Sequence, residues 1–447
     1  MEDTIAAIST ALGVGAISII RVSGEEAINI VDKIFDKNLK KAKSHTIKYG
    51  HIKALDEIID EVLVSVMRAP KTYTGEDVVE INCHGGISTT NKVLELVLNA
   101  GARLAEPGEF SKRAFLNGRI DLTQAEGIMN LIEAKTDTSR ELSINQLNGN
   151  VSKVISNLRT SLVDVISNIE VNIDYPEYED IEVLTNEGIL PKVENIIKEL
   201  NKAIDNAEQG QIINKGINIG IIGRPNVGKS SLLNALLGEN KAIVTDIEGT
   251  TRDIVEGNII IKGIECHFID TAGIRKTNDK VEKIGVDKTL EIIDSSDLII
   301  LMLNNNEELN KEEKELLNKI KSKKHIIVIN KVDLNKKLNL NEKNVIYMSI
   351  KDQKGLEELK NEIVEKFNLE EIDTKDMTYL SNARSISLLK ESLNLLNNAI
   401  KNIKDGMSID IVEIDLKACW NKLGEIIGET YTDELINEIF SRFCLGK

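Results

Sequence analysis

Apolar and polar residues follow several distinct patterns along this chain. Up to about residue 118, short apolar runs are broken by glycine and polar residues. "TIAAIS" and "AISIIRV" read as strands separated by Leu12-Gly13-Val14-Gly15, and "DVVEINC" alternates as a half-buried strand does. From Leu122 to Ile173 the apolar positions fall at helical spacing, with Val151, Val154, Leu158, Leu162, Val165 and Ile169 on one face. "DYPEYED" interrupts this pattern with a proline and four acids, and the spacing resumes at Val193, Ile197, Leu200 and Ile204. Between about Gly216 and Asn368 the apolar runs "INIGIIG", "CHFID", "LIILMLN", "HIIVIN" and "VIYMS" alternate with polar helical stretches. That is the signature of βα units with a buried parallel sheet. Helical spacing returns from Leu380, through Leu389, Leu393, Leu396, Ile400 and Ile403.

The simplest architecture is an α/β domain inserted into an α-helical domain built from both flanks, preceded by an α+β N-terminal domain. The expected boundaries are 1–118, 119–214 (helical, first part), 215–372 (α/β) and 373–447 (helical, second part). No internal repeat or low-complexity linker is visible.

Length and charge narrow the function classes. A chain of 447 residues exceeds a single core. Its 41% hydrophobic and 29% charged residues are those of a soluble globular protein. A net charge of −16 argues against non-specific wrapping of nucleic acid, and leaves room for local basic patches or a basic partner. Cys83, Cys266, Cys419 and Cys444 form no CxxC pair, which fits a reducing compartment. The opening "IAAISTALGVGAISII" lacks a basic leader, having Glu2 and Asp3 instead, and Ser9, Gly13, Gly15 and Ser18 interrupt it. No membrane association and a cytoplasmic location are expected.

The strongest chemical signal is "GRPNVGKSS", Gly223 to Ser231, between a strand and the helical "SSLLNALLG". GxxxxGK[ST] in this context is a P-loop. Backbone N–H groups from Asn226, Val227 and Gly228 through Ser231 cradle phosphates, Lys229 reaches the β and γ phosphates, and Ser230 ligates Mg²⁺. After the next apolar strand, Asp270, Thr271, Ala272 and Gly273 supply the acid on the Mg²⁺ side and an N–H for the γ-phosphate. "NKVD" contributes Asn330, Lys331 and Asp333, and the Asp333 carboxylate suits the N1 and 2-amino groups of guanine. Adenine lacks that pair of donors, so the nucleotide is GTP. Ser349 in "MSIKDQKG" fits the last base-contacting motif, with Ile350 where alanine is usual. "TDIEGTTRD" occupies the first switch: Thr245, Asp246, Ile247, Glu248, Gly249, Thr250 and Thr251, with Thr251 completing the Mg²⁺ shell. Arg252 reads either as an arginine finger or as a solvated partner of Asp253.

One position does not fit the switch-GTPase pattern. In "FIDTAGIRK" the residue after the glycine is Ile274, where a water-orienting glutamine is expected. "GRPNVGKSS", "TDIEGTTRD" and "DTAGIR" together resemble the bacterial tRNA-modification GTPases of the MnmE/TrmE family. The resemblance extends to "TIAAISTALGVGAISIIRVSG", "YTGEDVVEINCHGG", "PGEFSKRAFLNGRIDLTQAE" and the final "FCLGK". It implies that a K⁺ ion stands where an arginine finger would, held by Asn226, Thr245, Ile247 and Thr250, and that Glu282 orients the hydrolytic water.

The same resemblance implies a tetrahydrofolate derivative as one-carbon donor in the N-terminal domain, held by Arg21, Glu80, Arg119 and Lys447. Position 119 is arginine where lysine is also common, which alters contact geometry. Further implications are a homodimer, tRNA as substrate, and a hetero-oligomer with the FAD-dependent subunit MnmG (GidA). The implied product carries an aminomethyl or carboxymethylaminomethyl group at C5 of the wobble uridine. Cys444 reads either as a nucleophile or as a packing residue. Cys83 and His84, adjacent on a strand, face opposite ways and do not form a dyad. A ribosome-assembly GTPase and a purely regulatory switch GTPase remain alternatives; the former would carry a KH domain or a second P-loop.

Overall fold

The computed structural model describes residues 3–174, 186–239, 257–270, 289–342, 344–369, 380 and 382–446. By internal contacts the chain divides into two compact units, residues 1–129 with 421–447, and residues 130–420.

The first unit is built on strands β1 (Ile5–Ile8), β2 (Ile17–Ser23), β3 (Thr46–Ala54), β4 (Glu57–Met67), β5 (Val78–His84) and β6 (Arg103–Leu104). They lie in the order β3-β4-β5-β2-β1-β6. β1 and β6 pair in parallel, and the other neighbours are antiparallel. The alternation expected for "DVVEINC" is present, since Val79, Ile81 and Cys83 are buried while His84 is exposed. The period of two sends these side chains under α1 (Ala27–Ile34) and α2 (Ile87–Asn99), against Ile28, Val31, Val93 and Val97. β3 and β4 were not singled out by the sequence pattern. β3 exposes Ile47 and Tyr49, with Lys48 between them, and buries only Gly50 and Ile52, so its apolar pattern does not mark a buried face.

Residues 421–446 belong to this unit. Gly108, at φ 69°, precedes α3 (Glu109–Leu116), and a Cβ there would lie 2.2 Å from the Phe440 carbonyl oxygen. Phe115 packs edge-on to Tyr431, with ring centroids 5.2 Å apart. Phe440 and Phe443 are buried beside one another.

In the second unit the strands are β7 (Ile217–Ile222), β8 (Gly257–Ile261), β9 (Ile264–Asp270), β10 (Leu298–Asn304), β11 (His325–Asn330) and β12 (Val345–Tyr347). Their order is β12-β11-β10-β7-β9-β8, parallel except for the antiparallel β8–β9 hairpin. A parallel sheet covered on both faces buries whole runs, and all seven residues of β10 are buried. The helical part comprises α4 (Leu122–Glu133) in its last residues, α5 (Asp137–Leu147), α6 (Asn150–Asp174) and α7 (Asn186–Lys215), with the helix Ala383–Lys404 packed along α7. Val151, Leu158, Leu162, Val165 and Ile169 are buried as their spacing predicts, and Val154 is half-buried. Leu389, Leu396 and Ile403 are buried likewise. The α/β domain is thus inserted between helical segments. Among the described residues no helix is long and apolar enough to cross a membrane.

Candidate functional site

The loop between β7 and α8 (Lys229–Glu239) carries the P-loop sequence. Its backbone requires glycine at two places. Gly223 has φ 145°, and a Cβ would lie 2.4 Å from the Met302 carbonyl oxygen. Gly228 has φ 107°, and a Cβ would lie 2.4 Å from Asn330 Nδ2. Between them Asn226 takes the left-handed conformation, φ 63°. Asparagine tolerates it better than most residues. The loop leads into the N-terminus of α8, where unpaired backbone N–H groups and the helix dipole favour an anion. Lys229 Nζ donates to the carbonyl oxygens of Gly223 (2.7 Å) and Arg224 (2.9 Å), which holds the ammonium over the loop. Ser230 and Ser231 are exposed in the first turn of α8.

The end of β11 is tied to this loop. Asn330 Nδ2 donates to the Val227 carbonyl at 2.8 Å, and Lys331 Nζ donates to the Asn226 carbonyl at 2.8 Å. Two residues on, Asp333 is exposed and its Oδ1 accepts from Ser349 Oγ at 3.1 Å. Ser349 is fully buried and its hydroxyl also accepts from the Asp352 N–H. The P-loop therefore meets "NKVD", which is 103 residues away where Asn330 bonds Val227, and the nearby "MSIKDQKG" at the C-terminal ends of β7, β11 and β12. Ligands of open α/β sheets bind at this edge. Glycines that admit close backbone approach and an ammonium beside them suit phosphates, and an exposed carboxylate held by a buried serine is an acceptor that suits the N–H groups of guanine. Asp270 ends β9, beside Ile221 of β7. Thr245, Asp246, Ile247, Glu248, Gly249, Thr250, Thr251, Arg252, Asp253, Thr271, Ala272, Gly273, Ile274, Glu282 and Lys447 lie outside the described residues.

Arg224, inside the P-loop, has a role that no sequence pattern pointed to. Its Nε donates to Glu313 Oε1 at 2.7 Å, and its second amine lies 3.1 Å from Glu307. Glu313 is 1% exposed and completes a capping box with Asn310 at the start of helix Lys311–Ile320. The Asn-x-x-Glu pattern of the cap is readable in sequence. Its cationic partner, 89 positions upstream, is not.

In the first unit Arg21 and Glu80 are direct cross-strand partners on β2 and β5. Arg21 Nε donates to Glu80 Oε1 at 2.9 Å, and Arg21 Nη1 donates to the Gly446 carbonyl at 3.2 Å. The Glu80 carboxylate is thus already paired with a residue of its own site. The guanidinium carbons of Arg21 and of the exposed Arg119 each lie 5.4 Å from the centre of the Tyr73 ring. Tyr73 donates to or accepts from Ser111 Oγ at 2.7 Å, and its burial pushes the phenol pKa up. Phe110 lies 5.7 Å from Arg21 on another side. Gly446, at φ 90°, also accepts from Ser9 Oγ, which fixes the end of the chain beside β1. Arg21, Glu80, Arg119 and the C-terminal segment are brought together. Two guanidiniums on one aromatic ring suit a ligand with carboxylate or ring oxygens. Sequence reading missed Tyr73 and Phe110. Only 3% of the chain is aromatic, which is the one signal that could have drawn attention to them.

Cys444 is exposed near that chain end. Cys83 is buried, which pushes its thiol pKa up, while His84 is exposed and held by Asp60 at 2.6 Å, which pushes its imidazole up. The two face opposite ways. Among the described residues no cluster of His, Cys, Asp and Glu could hold a metal ion by itself.

Family models match both parts of the chain. "GTP-binding protein TrmE N-terminus" covers residues 4–119, and "MnmE helical domain" covers residues 122–444. The tRNA modification GTPase MnmE of Bacillus cytotoxicus is 51% identical over 455 residues, covering 100% of this chain and 99% of that protein. The protein of the same name from Listeria welshimeri is 52% identical over 454 residues, with 100% and 99% covered. Among solved structures, the G domain of the T. maritima FeoB iron transporter is 30% identical and covers 34% of this chain and 98% of that one, at a TM-score of 0.24.

Proposed function

We propose, because the chain belongs to the MnmE family of tRNA-modification GTPases, that it hydrolyses GTP in the modification of tRNA at C5 of the wobble uridine. The observation that carries the reading is the meeting of the P-loop, Asp333 and Ser349 at one sheet edge, in a chain similar over its whole length to proteins of that name. It is a GTP hydrolase acting in tRNA modification.

Asp333, oriented by Ser349, selects guanine by accepting from its two adjacent N–H groups. Lys229 leaves the carbonyls of Gly223 and Arg224 for the terminal phosphates. Ser230 and Thr251 hold Mg²⁺, with Asp270 on its side. Asn226, Thr245, Ile247 and Thr250 hold K⁺, taking the place of an arginine finger. The two cations supply charge neutralisation at the phosphate oxygens. Ile274 leaves the usual water-orienting position apolar, and Glu282 takes that task.

At the other end of the protein Arg21, Arg119 and Lys447 bind a tetrahydrofolate derivative, and Glu80 holds Arg21 in place or pairs with the pterin edge. A homodimer, and assembly with an FAD-dependent subunit, complete the proposed enzyme. The test is GTP turnover of the full chain in K⁺ against Na⁺ at equal ionic strength. Turnover is expected to be much faster in K⁺. Equal rates would overturn the K⁺ assignment and make Arg252 the candidate for that role.

A further inference from the structure

A cleft of about 580 Å³ opens at the opposite end of the parallel sheet from the P-loop. It lies where α7 enters β7 and where β10 and β11 begin, and its walls include Lys215, Asn218, Asp297, Lys323, Lys324 and Phe367. Two of its cations are held by backbone oxygens. Lys323 Nζ donates to the Asp294 backbone carbonyl, and Lys324 Nζ donates to the Lys366 carbonyl and lies 4.2 Å from the centre of the Phe367 ring. Lys215 is exposed in the last turn of α7. Among the described residues none of the three forms an ion pair with a carboxylate. Of the nearby acids, Asp297 accepts from the Asn218 N–H and Glu362 is paired with Lys366, while Asp294 is exposed. Lys321 adds a further exposed cation two residues before Lys323.

We propose that this cleft binds the sugar–phosphate backbone of the tRNA. The inference rests on the reading of the protein as a tRNA-modifying enzyme and adds where it holds its substrate. A chain of net charge −16 repels a polyanion over most of its surface, so contact must be made where lysines gather without carboxylate partners. Lysine ammoniums on flexible stems suit phosphates read for position and not for sequence. The exposed Asn218 side chain in the same walls adds hydrogen-bonding groups for ribose or phosphate oxygens. β7 spans six residues, which puts about 20 Å between this cleft and the P-loop. RNA held here does not compete with GTP.

The test is binding of a wobble-uridine tRNA transcript to the full-length protein, measured across a salt series. The variant Lys215→Glu/Lys323→Glu/Lys324→Glu is expected to lower affinity on the order of tenfold or more and to reduce the slope of log K against log salt by about 2 to 3. GTP affinity should be unchanged. Because Lys324 packs on Phe367, a second variant, Lys215→Gln/Lys323→Gln, leaves that contact intact and is expected to lose about two thirds as much slope. As a control for net charge, Lys153→Glu/Lys192→Glu/Lys401→Glu should bind tRNA as the parent does. If the cleft variants keep parental affinity and slope, or if the control loses as much as they do, the proposal is wrong. A parent protein that binds no tRNA at low salt would instead overturn the tRNA reading beneath it.

Discussion

Asp333 is an exposed carboxylate whose orientation depends on one buried hydroxyl, Ser349. Asp333→Asn should weaken GTP by about 1.5 to 3 kcal/mol and gain xanthosine triphosphate, because the amide donates to the xanthine oxygen where the carboxylate accepted from guanine. Competition binding with the two nucleotides measures this, and unchanged preference for GTP would show that Asp333 does not read the base. Arg224 acts differently, through Glu313. Removing the guanidinium leaves a carboxylate that is 1% exposed without its cation. Arg224→Ala should therefore cost about 3 kcal/mol of stability in urea unfolding, and Arg224→Ala/Glu313→Gln should recover part of it. The two residues also differ in how far sequence reveals them. Asp333 stands in a motif whose chemistry is local, whereas the Arg224–Glu313 pair joins positions that only the fold brings together.

Elements were legible in sequence where burial is one-sided or complete. β10 and β11, and β7 apart from its exposed Asn218, read as buried runs because helices cover both faces of a parallel sheet. The helices α6 and Ala383–Lys404 follow their apolar stripes. β8 escaped notice because "GNIII" is short and three of its five residues are only partly buried. The grouping of residues 421–447 with residues 1–129 is also invisible locally, since it rests on Phe115 meeting Tyr431 and Phe440, and on Gly108 admitting the Phe440 carbonyl. At the P-loop the decisive contact is backbone to side chain. Gly228→Ala places a methyl at φ 107° and 2.4 Å from Asn330 Nδ2, so the Asn330–Val227 hydrogen bond must give way. GTP affinity should fall at least about tenfold, while the secondary-structure content seen by circular dichroism is retained. Parental affinity would show that this packing does not shape the site.

For the molecule as a whole, charge enters both stability and function. The first residues of the described chain are held by Asp3, whose carboxylate is lowered by the Arg103 hydrogen bond against some burial, with help from Arg113. Burial opposes ionisation of Glu109, but Arg103, the Glu106 N–H and Arg113 outweigh it, so its pKa is lowered too. Both carboxylates titrate lower when folded than unfolded. Their contribution is therefore present above about pH 4.5 and lost as pH falls through the folded values. Thermal unfolding followed from pH 6 to 3 should show the midpoint dropping most steeply below about pH 4.5, and Arg103→Ala should flatten that drop. A drop of the same steepness in the variant would mean that the network does not govern acid stability.

GTP binding at the P-loop is expected to be a condition for tRNA modification, and nucleoside analysis of tRNA tests that most directly. In cells lacking the gene, the C5-modified wobble uridine should disappear, return with the parent gene, and stay absent with Lys229→Ala expressed at parental levels. Modified uridine that persists without the gene, or is restored in full by Lys229→Ala, would contradict it.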